Sequence, residues 1–293
     1  KRSGAVGGYN AMSLIVSDPV SLEIRFLREL GIEPADYSNQ VVEPEYLLRL
    51  LLEMNTAFGI IANLADDLRN LQRTELSELQ EMFKTSQVGS STMPQKRNPW
   101  NSEHVKSLWK TFSPRVMTFF MDQISEHQRD LSNSASSRFI ADYIAGFTAA
   151  VNRMLRVVRT LHVDRESLDA NLKKTGDFLL AEAAYVLLAG EGVAEAHEVV
   201  RNCTLESEKS GRSLCDVLKD DPDRWARLEH RLSVTIGVEA DGFFSDPASY
   251  RGKTAEKTMA LVEEFEGRIQ EVRSRFEAGD GSAGSTRGED QGK

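Results

Sequence analysis

Long stretches of apolar residues spaced three and four apart, separated by short polar junctions, dominate this chain, and that pattern predicts helices. Residues 46–71 set Leu47, Leu50, Leu51, Met54, Ala57, Phe58, Ile61, Leu64, Ala65 and Leu68 on one stripe, sustained for about seven turns. Residues 101–127 repeat the spacing with Val105, Leu108, Trp109, Phe112, Val116 and Phe119, and Pro114 predicts a kink. Residues 136–161 do so again with Phe139, Ile140, Tyr143, Ile144, Phe147, Val151, Met154, Leu155 and Val158. Helices this long exceed the usual mean of about 11–12 residues and point to a long-helix bundle. From about residue 162 the texture changes. Asp164 stands as an N-cap with Ser167 three residues on, and shorter helices follow near 166–173, 177–190, 193–209, 212–218 and 222–233. A loop at 241–253 and a last helix over about 254–277 complete the pattern. No stretch alternates with period two, so the fold class is all-α. The expected organisation is a central bundle over 1–165, a small helical C-terminal domain over 166–277 and a disordered Gly/Ser/charge-rich tail over 278–293.

Composition narrows the function classes. A chain of 293 residues with 40% hydrophobic content has enough material for a sizeable core in one or two domains. A net charge of −9 argues against nucleic acid or an anionic membrane as partner, so an anionic substrate must be met by a local cluster of cations. No uninterrupted apolar run reaches the roughly 18 residues of a spanning helix. Two cysteines, Cys203 and Cys215, fit free thiols in a reducing compartment better than a disulfide framework. The five histidines do not fall at metal-ligand spacing with the cysteines, so neither a metal nor another cofactor is expected. The opening residues have no signal-peptide core and no initiator Met, which gives the expectation of a cytoplasmic protein and of a piece of a longer chain.

Candidate chemistry concentrates at the polar junctions. Residues 89–99, GSSTMPQKRNP, gather Ser90, Ser91, Lys96, Arg97 and Asn98 between Gly89 and two prolines, a loop by composition and a clamp for an anion by charge. Glu103 follows in the first turn of the next helix, where a carboxylate also has an ordinary capping role. Residues 126–138 carry Arg129, Ser132, Asn133, Ser134, Ser136, Ser137 and Arg138 at the start of a long helix. Exposed amides there, flanked by two arginines, suit a phosphate or carboxylate, although serines also cap helices with no ligand. His127 beside this junction is left out of the catalytic set, since a histidine at a helix end is more often structural. Ser38-Asn39-Gln40-Val41-Val42 forms a polar elbow before the first long helix.

These residues resemble a known family. Residues 89–99 match the fumarase/aspartase superfamily pattern GSSxMPxKxNP at every specified position. The RDLSNS run from Arg129 with Arg138, the GAVG at 4–7, the SNQVV at 38–42 and the FSDPASY at 244–250 are similar to segments of the adenylosuccinate lyase branch. The resemblance spans about residues 1–275. It implies an all-α homotetramer with shared active sites, acting on a small anionic N-succinyl nucleotide and releasing fumarate, with no cofactor. It further implies Ser90 as the base, Lys96 and Asn98 as the clamp that stabilises the carbanion, and Glu103 as the partner of an acid histidine supplied by the region upstream of Lys1 or by another subunit. Gln40, Ser91 and Met93 would contact the substrate, and Arg129, Ser134 and Arg138 its phosphate. The departures are Gln128, Ala135, Asn39, Pro44-Glu45 and Gly8. They leave open a sister lyase of argininosuccinate or carboxymuconate type, and a non-catalytic helical scaffold is a third reading.

Overall fold

The structure is a computed structural model that describes residues 3–82, 92–93, 95–124 and 132–284. The chain divides into two compact units, Lys1–Asp169 and Ala170–Lys293.

The first unit is built on three helices that the apolar spacing predicts. These are α2 (Glu45–Leu71), α3 (Trp100–Phe112) and α5 (Phe139–Arg159), preceded by α1 (Pro19–Glu29). Between α3 and α5 the turn at Ser113–Arg115 and the short α4 (Val116–Met121) replace the single helix expected over 101–127. Pro114 is the cause, because it removes a helical donor and tightens the chain into a 3-10 turn. The α1 helix is not among the sequence expectations. It begins on Asp18, whose carboxylate accepts the Ser21 amide at 3.0 Å, with Pro19 at the first helical position.

Contacts along the three long helices fix their directions. Phe58, Ala65 and Leu68 of α2 pack with Val105 of α3 and with Ala150, Met154 and Val157 of α5. Nearer the other end, Leu48 and Leu51 of α2 meet Phe119 and Tyr143. Low numbers of α2 thus meet low numbers of α5, so these two run parallel. Asn101 of α3 bonds Arg153 of α5 while Phe112 lies against Gly146, so α3 runs antiparallel to them. A Cβ at Gly146 would sit 2.5 Å from the Phe112 ring, which is why the crossing needs glycine. The buried stripe of α2 differs from the expected one: Leu48 and Ala62 are buried, whereas Leu47, Leu50 and Leu64 are exposed. The helix carries a second apolar face that the bundle leaves uncovered. α2 is long and apolar enough to cross a bilayer by length and composition alone. Its buried Leu51, Phe58 and Ala65 identify it as the core helix of this unit.

One small ladder interrupts the all-helical expectation. Strand β1 (Leu79–Gln80) pairs antiparallel with β2 (His162–Val163), Leu79 opposite Val163 and Gln80 opposite His162. Asp164 next to it caps α6 (Arg165–Thr175), as the sequence predicts, accepting the Ser167 amide at 3.0 Å. That bond holds the Asp164 carboxyl below its usual range.

The second unit packs α7 (Ala181–Gly190), α8 (Ala196–Ser210), α9 (Leu214–Lys219), α10 (Pro222–Ile236) and α11 (Ala240–Ser245) around Leu180, Leu188, Leu214, Leu218, Leu228, Leu232 and Phe244. Its start and stop signals are local. Ser213 and Asp221 accept amides at the starts of α9 and α10, and Gly211 and Gly237 end α8 and α10 in the left-handed region. Cys203 and Cys215 are not joined in a disulfide and are buried in this core. The expected loop at 241–253 is instead part of α11 and a 3-10 turn that Asp246 caps. The final helix, α12 (Thr254–Gly284), runs seven residues into the tail expected to be disordered. Extending an existing helix adds one bond per residue fixed, which even a Gly-rich stretch can follow.

Candidate functional site

Of the expected catalytic residues, Lys96, Asn98 and Glu103 lie in described structure, at the entrance to α3. Ser90, Ser91 and Arg129 lie outside the described residues. Any helix leaves its first four amides without intrahelical partners, and Pro99, at the N-cap of α3, offers no side-chain bond. A residue from outside the helix fills the role. Glu81, only 9% exposed, accepts the Asn101 amide at 3.0 Å and the Ser102 amide at 2.8 Å. The same carboxylate accepts Asn101 Nδ2 at 2.8 Å and Ser102 Oγ at 2.6 Å. A carboxylate at the positive end of a helix, taking four donors, is a stable way to bury that charge.

Two further side chains tie this cap to the signature segment. Gln72, just beyond α2, accepts the Glu81 amide at 2.9 Å and donates Nε2 to the Arg97 carbonyl at 3.4 Å. Arg153 of α5 donates to Asn101 Oδ1 at 2.8 Å and stacks 4.7 Å above the Trp100 ring. Gln72 thus reaches the arm 95–99 at Arg97, while Glu81 and Arg153 hold Trp100, Asn101 and Ser102 directly after it. Along it the Lys96 amide donates to the Met93 carbonyl at 3.0 Å and the Trp100 amide to the Asn98 carbonyl at 2.8 Å. Lys96 and Met93 are exposed and Asn98 is half-buried. Glu103, whose amide donates to the Pro99 carbonyl at 2.9 Å, turns its side chain to solvent.

The serine junction departs from its expected form. A 3-10 turn, Ser136–Arg138, precedes α5, whose N-cap is Arg138 with no side-chain bond. The turn uses the amides itself: Ser137 donates to the Asn133 carbonyl at 3.1 Å and Arg138 to the Ala135 carbonyl at 3.3 Å. The hydroxyls fold back instead of capping. Ser136 Oγ reaches Asp122 Oδ1 at 2.7 Å and Ser137 Oγ the Ser134 carbonyl at 3.4 Å. Beside them opens a cavity of 490 Å³ lined by Arg115, Thr118, Asp122, Ser132, Ser136 and Phe139, among others. Arg115 pairs with Asp142 and lies over the Phe112 and Phe139 rings. Ser134 and Arg138, in the same serine segment, are exposed and do not line it.

The third group is the elbow at 38–42, which the fold joins to the GAVG segment. Ser3 and Ser38 share a 2.8 Å hydroxyl bond, and a Cβ at Gly7, whose φ is +79°, would fall 1.8 Å from the Ser38 carbonyl oxygen. Tyr9 braces the segment, donating to Glu23 at 2.5 Å, and that bond pushes the phenol up to about 12. Asn39 accepts the Val41 amide at 3.1 Å, and Gln40 projects into solvent.

Sequence reasoning names three places, and the structure separates two of them. The entrance to α3 lies beside Arg153 of α5, whereas Arg138 stands at the start of α5. Fifteen helical residues between them amount to about 22 Å.

Comparison with known proteins adds the family. A family model described as "Lyase" matches residues 2–111, and one described as "Adenylosuccinate lyase C-terminal" matches residues 125–233. The chain belongs to the fumarase/aspartase superfamily of lyases. Among its relatives, the adenylosuccinate lyase of Pyrococcus abyssi is 30% identical over 274 residues, covering 92% of this chain and 58% of the relative. That of Methanothermobacter thermautotrophicus is 33% identical, covering 89% and 57%. The chain thus spans little more than half the length of these relatives. Two solved structures share the fold of this lyase family member. They are the 3-carboxy-cis,cis-muconate lactonizing enzyme from Pseudomonas putida, with a TM-score of 0.69, 23% identity and coverage of 86% of this chain and 53% of that one, and the fumarate lyase from Mesorhizobium sp., with a TM-score of 0.67, 18% identity and the same coverages.

Glu81 and Arg153, which no motif marked, are the residues that sequence reasoning missed. The FSDPASY segment also gains a structural account. Phe244 is buried in the second core, Asp246 caps the following turn and Tyr250 donates to Glu182 at 3.2 Å.

Proposed function

We propose that this lyase eliminates fumarate from an N-succinyl nucleotide, adenylosuccinate and the succinyl-carboxamide ribotide of purine synthesis. The observation that carries the reading is the GSSTMPQKRNP segment in a chain whose relatives at 30–33% identity are named adenylosuccinate lyases. Ser90 takes the proton from the β-carbon of the succinyl group. A serine is a weak base at its ordinary pKa, so loop amides and Lys96 must favour the alkoxide. The electron pair left on carbon spreads into the adjacent carboxylate, where Lys96 and Asn98 meet the growing charge. The pair then forms the double bond of fumarate as the carbon–nitrogen bond breaks. The leaving nitrogen takes a proton from an acid group outside the described residues, which the solvent-facing Glu103 pairs with and orients. Gln40, Ser91 and Met93 contact the substrate, while Arg129, Ser134 and Arg138 hold its phosphate.

The active site is shared between copies of the chain. The rise of about 22 Å along α5 between Arg138 and the residue beside the α3 entrance supports a reading in which different protomers supply the two groups. A homotetramer provides the copies, and the exposed Leu47, Leu50, Ile60 and Leu64 on α2 and Ile144, Leu155 and Val158 on α5 give it an apolar interface. The reduced thiols suit the cytoplasm.

Fumarate release from adenylosuccinate tests the reading. Arg138→Ala is expected to raise KM by roughly 10–100-fold, the loss of a charge-assisted bond to phosphate, and Ser90→Ala to abolish turnover. Absence of fumarate release, or an unchanged KM in Arg138→Ala, overturns the nucleotide assignment. Ala135, which removes one hydroxyl from the phosphate segment, favours a sister lyase with a non-nucleotide acid as the second reading.

A further inference from the structure

Gln72 touches three parts of the fold at once. Its backbone closes the last turn of α2, the amide donating to the Leu68 carbonyl at 3.2 Å. Its half-buried side chain accepts the Glu81 amide through Oε1 at 2.9 Å and donates Nε2 to the Arg97 carbonyl at 3.4 Å. The Glu81 end is firmly anchored, because that buried carboxylate also holds the Asn101 and Ser102 amides at the start of α3. The Arg97 carbonyl belongs to the peptide that leads into Asn98, and Lys96 is the residue before it. Short turns on either side leave this arm little slack. The Lys96 amide bonds the Met93 carbonyl at 3.0 Å and the Trp100 amide the Asn98 carbonyl at 2.8 Å, with Pro99 between them at a φ of −74°. One planar side-chain amide thus joins the end of α2 and the Glu81 backbone to the arm that carries both residues of the clamp.

We infer that Gln72 is a positioning residue for the proposed elimination, setting Lys96 and Asn98 where negative charge grows on the succinyl carboxylate. The inference rests on that reading of the reaction. Groups that stabilise developing charge work by being in place beforehand, and a displacement of about 1 Å costs roughly 100-fold in rate. The two ends of the side chain separate the roles chemically. Gln72→Glu keeps an oxygen for the Glu81 amide and sets an acceptor against the Arg97 carbonyl, so the tie to the arm alone is broken. Gln72→Met keeps the length, adds no charge and loses both bonds. A half-buried position at the end of a helix tolerates either change without loss of the core.

Fumarate release from adenylosuccinate by the full chain, together with hydrogen exchange over residues 95–100, tests the role. Both variants are expected to stay folded by circular dichroism, to exchange faster over 95–100 and to lose roughly 10–100-fold in kcat with a smaller change in KM. Deuterium at the succinyl β-carbon should slow the variants more than the wild type, because proton removal then limits the rate. A smaller folded fraction would lower activity without changing that isotope effect. Unchanged exchange over 95–100 in both variants, or faster exchange with wild-type kcat, overturns the role. So does a kcat loss confined to Gln72→Glu, which traces to the added charge near Lys96 and not to the lost tie. A wild-type chain that releases no fumarate overturns the reaction and the kinetic role with it, while exchange, read without substrate, separately decides whether Gln72 holds the arm.

Discussion

At the scale of single residues, the decisive group is Glu81. Its carboxylate satisfies two helix-start amides, an asparagine amide and the hydroxyl of Ser102, which is completely buried. Glu81→Ala leaves those donors without partners, and each unsatisfied buried group costs on the order of 1–3 kcal/mol. The expected loss is about 3 kcal/mol in urea unfolding, with faster hydrogen exchange at the Asn101 and Ser102 amides, and Glu81→Gln should lose less. A second prediction concerns Tyr143, fully buried, with its hydroxyl 3.2 Å from Asn55 Oδ1. Burial pushes its phenol from 10.0 to about 12. A raised folded pKa means the neutral form is favoured by folding, so this stabilisation is complete below about pH 10. It is lost as pH climbs toward 12. Tyr143→Phe should flatten the fall in stability across that window, as followed by circular dichroism. The signature residues were legible because their types and spacing are local. Glu81 was not, because its partners stand about twenty residues downstream and only the fold makes them neighbours.

At the scale of elements, the long helices were legible from apolar spacing alone, and Pro114 marked the break between α3 and α4. The face that each helix buries was less legible. A stripe of ten apolar positions on α2 contains both the core face and the uncovered one, and spacing cannot tell a chain's own core from a surface kept for a partner. The ladder of β1 and β2 left no trace in the pattern, since two residues cannot show alternation. Packing at the crossing of α3 and α5 gives a sharp test. Alanine in a helix interior normally gains up to about 1 kcal/mol over glycine. At Gly146 a methyl group would press into the Phe112 ring at 2.5 Å, and overpacking of this kind costs roughly 1–3 kcal/mol. Gly146→Ala should therefore lower the melting temperature. Phe112→Leu in the same chain should recover part of the loss, a coupling that a double-mutant cycle measures.

At the scale of the whole molecule, the antiparallel run of α3 against α5 puts the arm bearing Lys96 and the turn bearing Arg138 at opposite ends of one helix pair. If each active site draws on more than one protomer, Lys96→Ala and Arg138→Ala proteins should both be nearly inactive alone. Refolded together, they should regain a fraction of wild-type fumarate release, because some sites then receive both intact groups. A mixture no more active than its parents would count against shared sites. The small ladder carries a consequence of another kind. Pairing Leu79 with Val163 closes a loop of more than eighty residues, and closing a loop that long costs about 4 kcal/mol of chain entropy. A ladder of two residues returns only about 1 kcal/mol per hydrogen bond, too little to close the loop unaided. Docking of α2 on α5, whose last turns lead into the two strands, draws those ends together, so the ladder beside Glu81 belongs to the part of the fold that follows the helix packing.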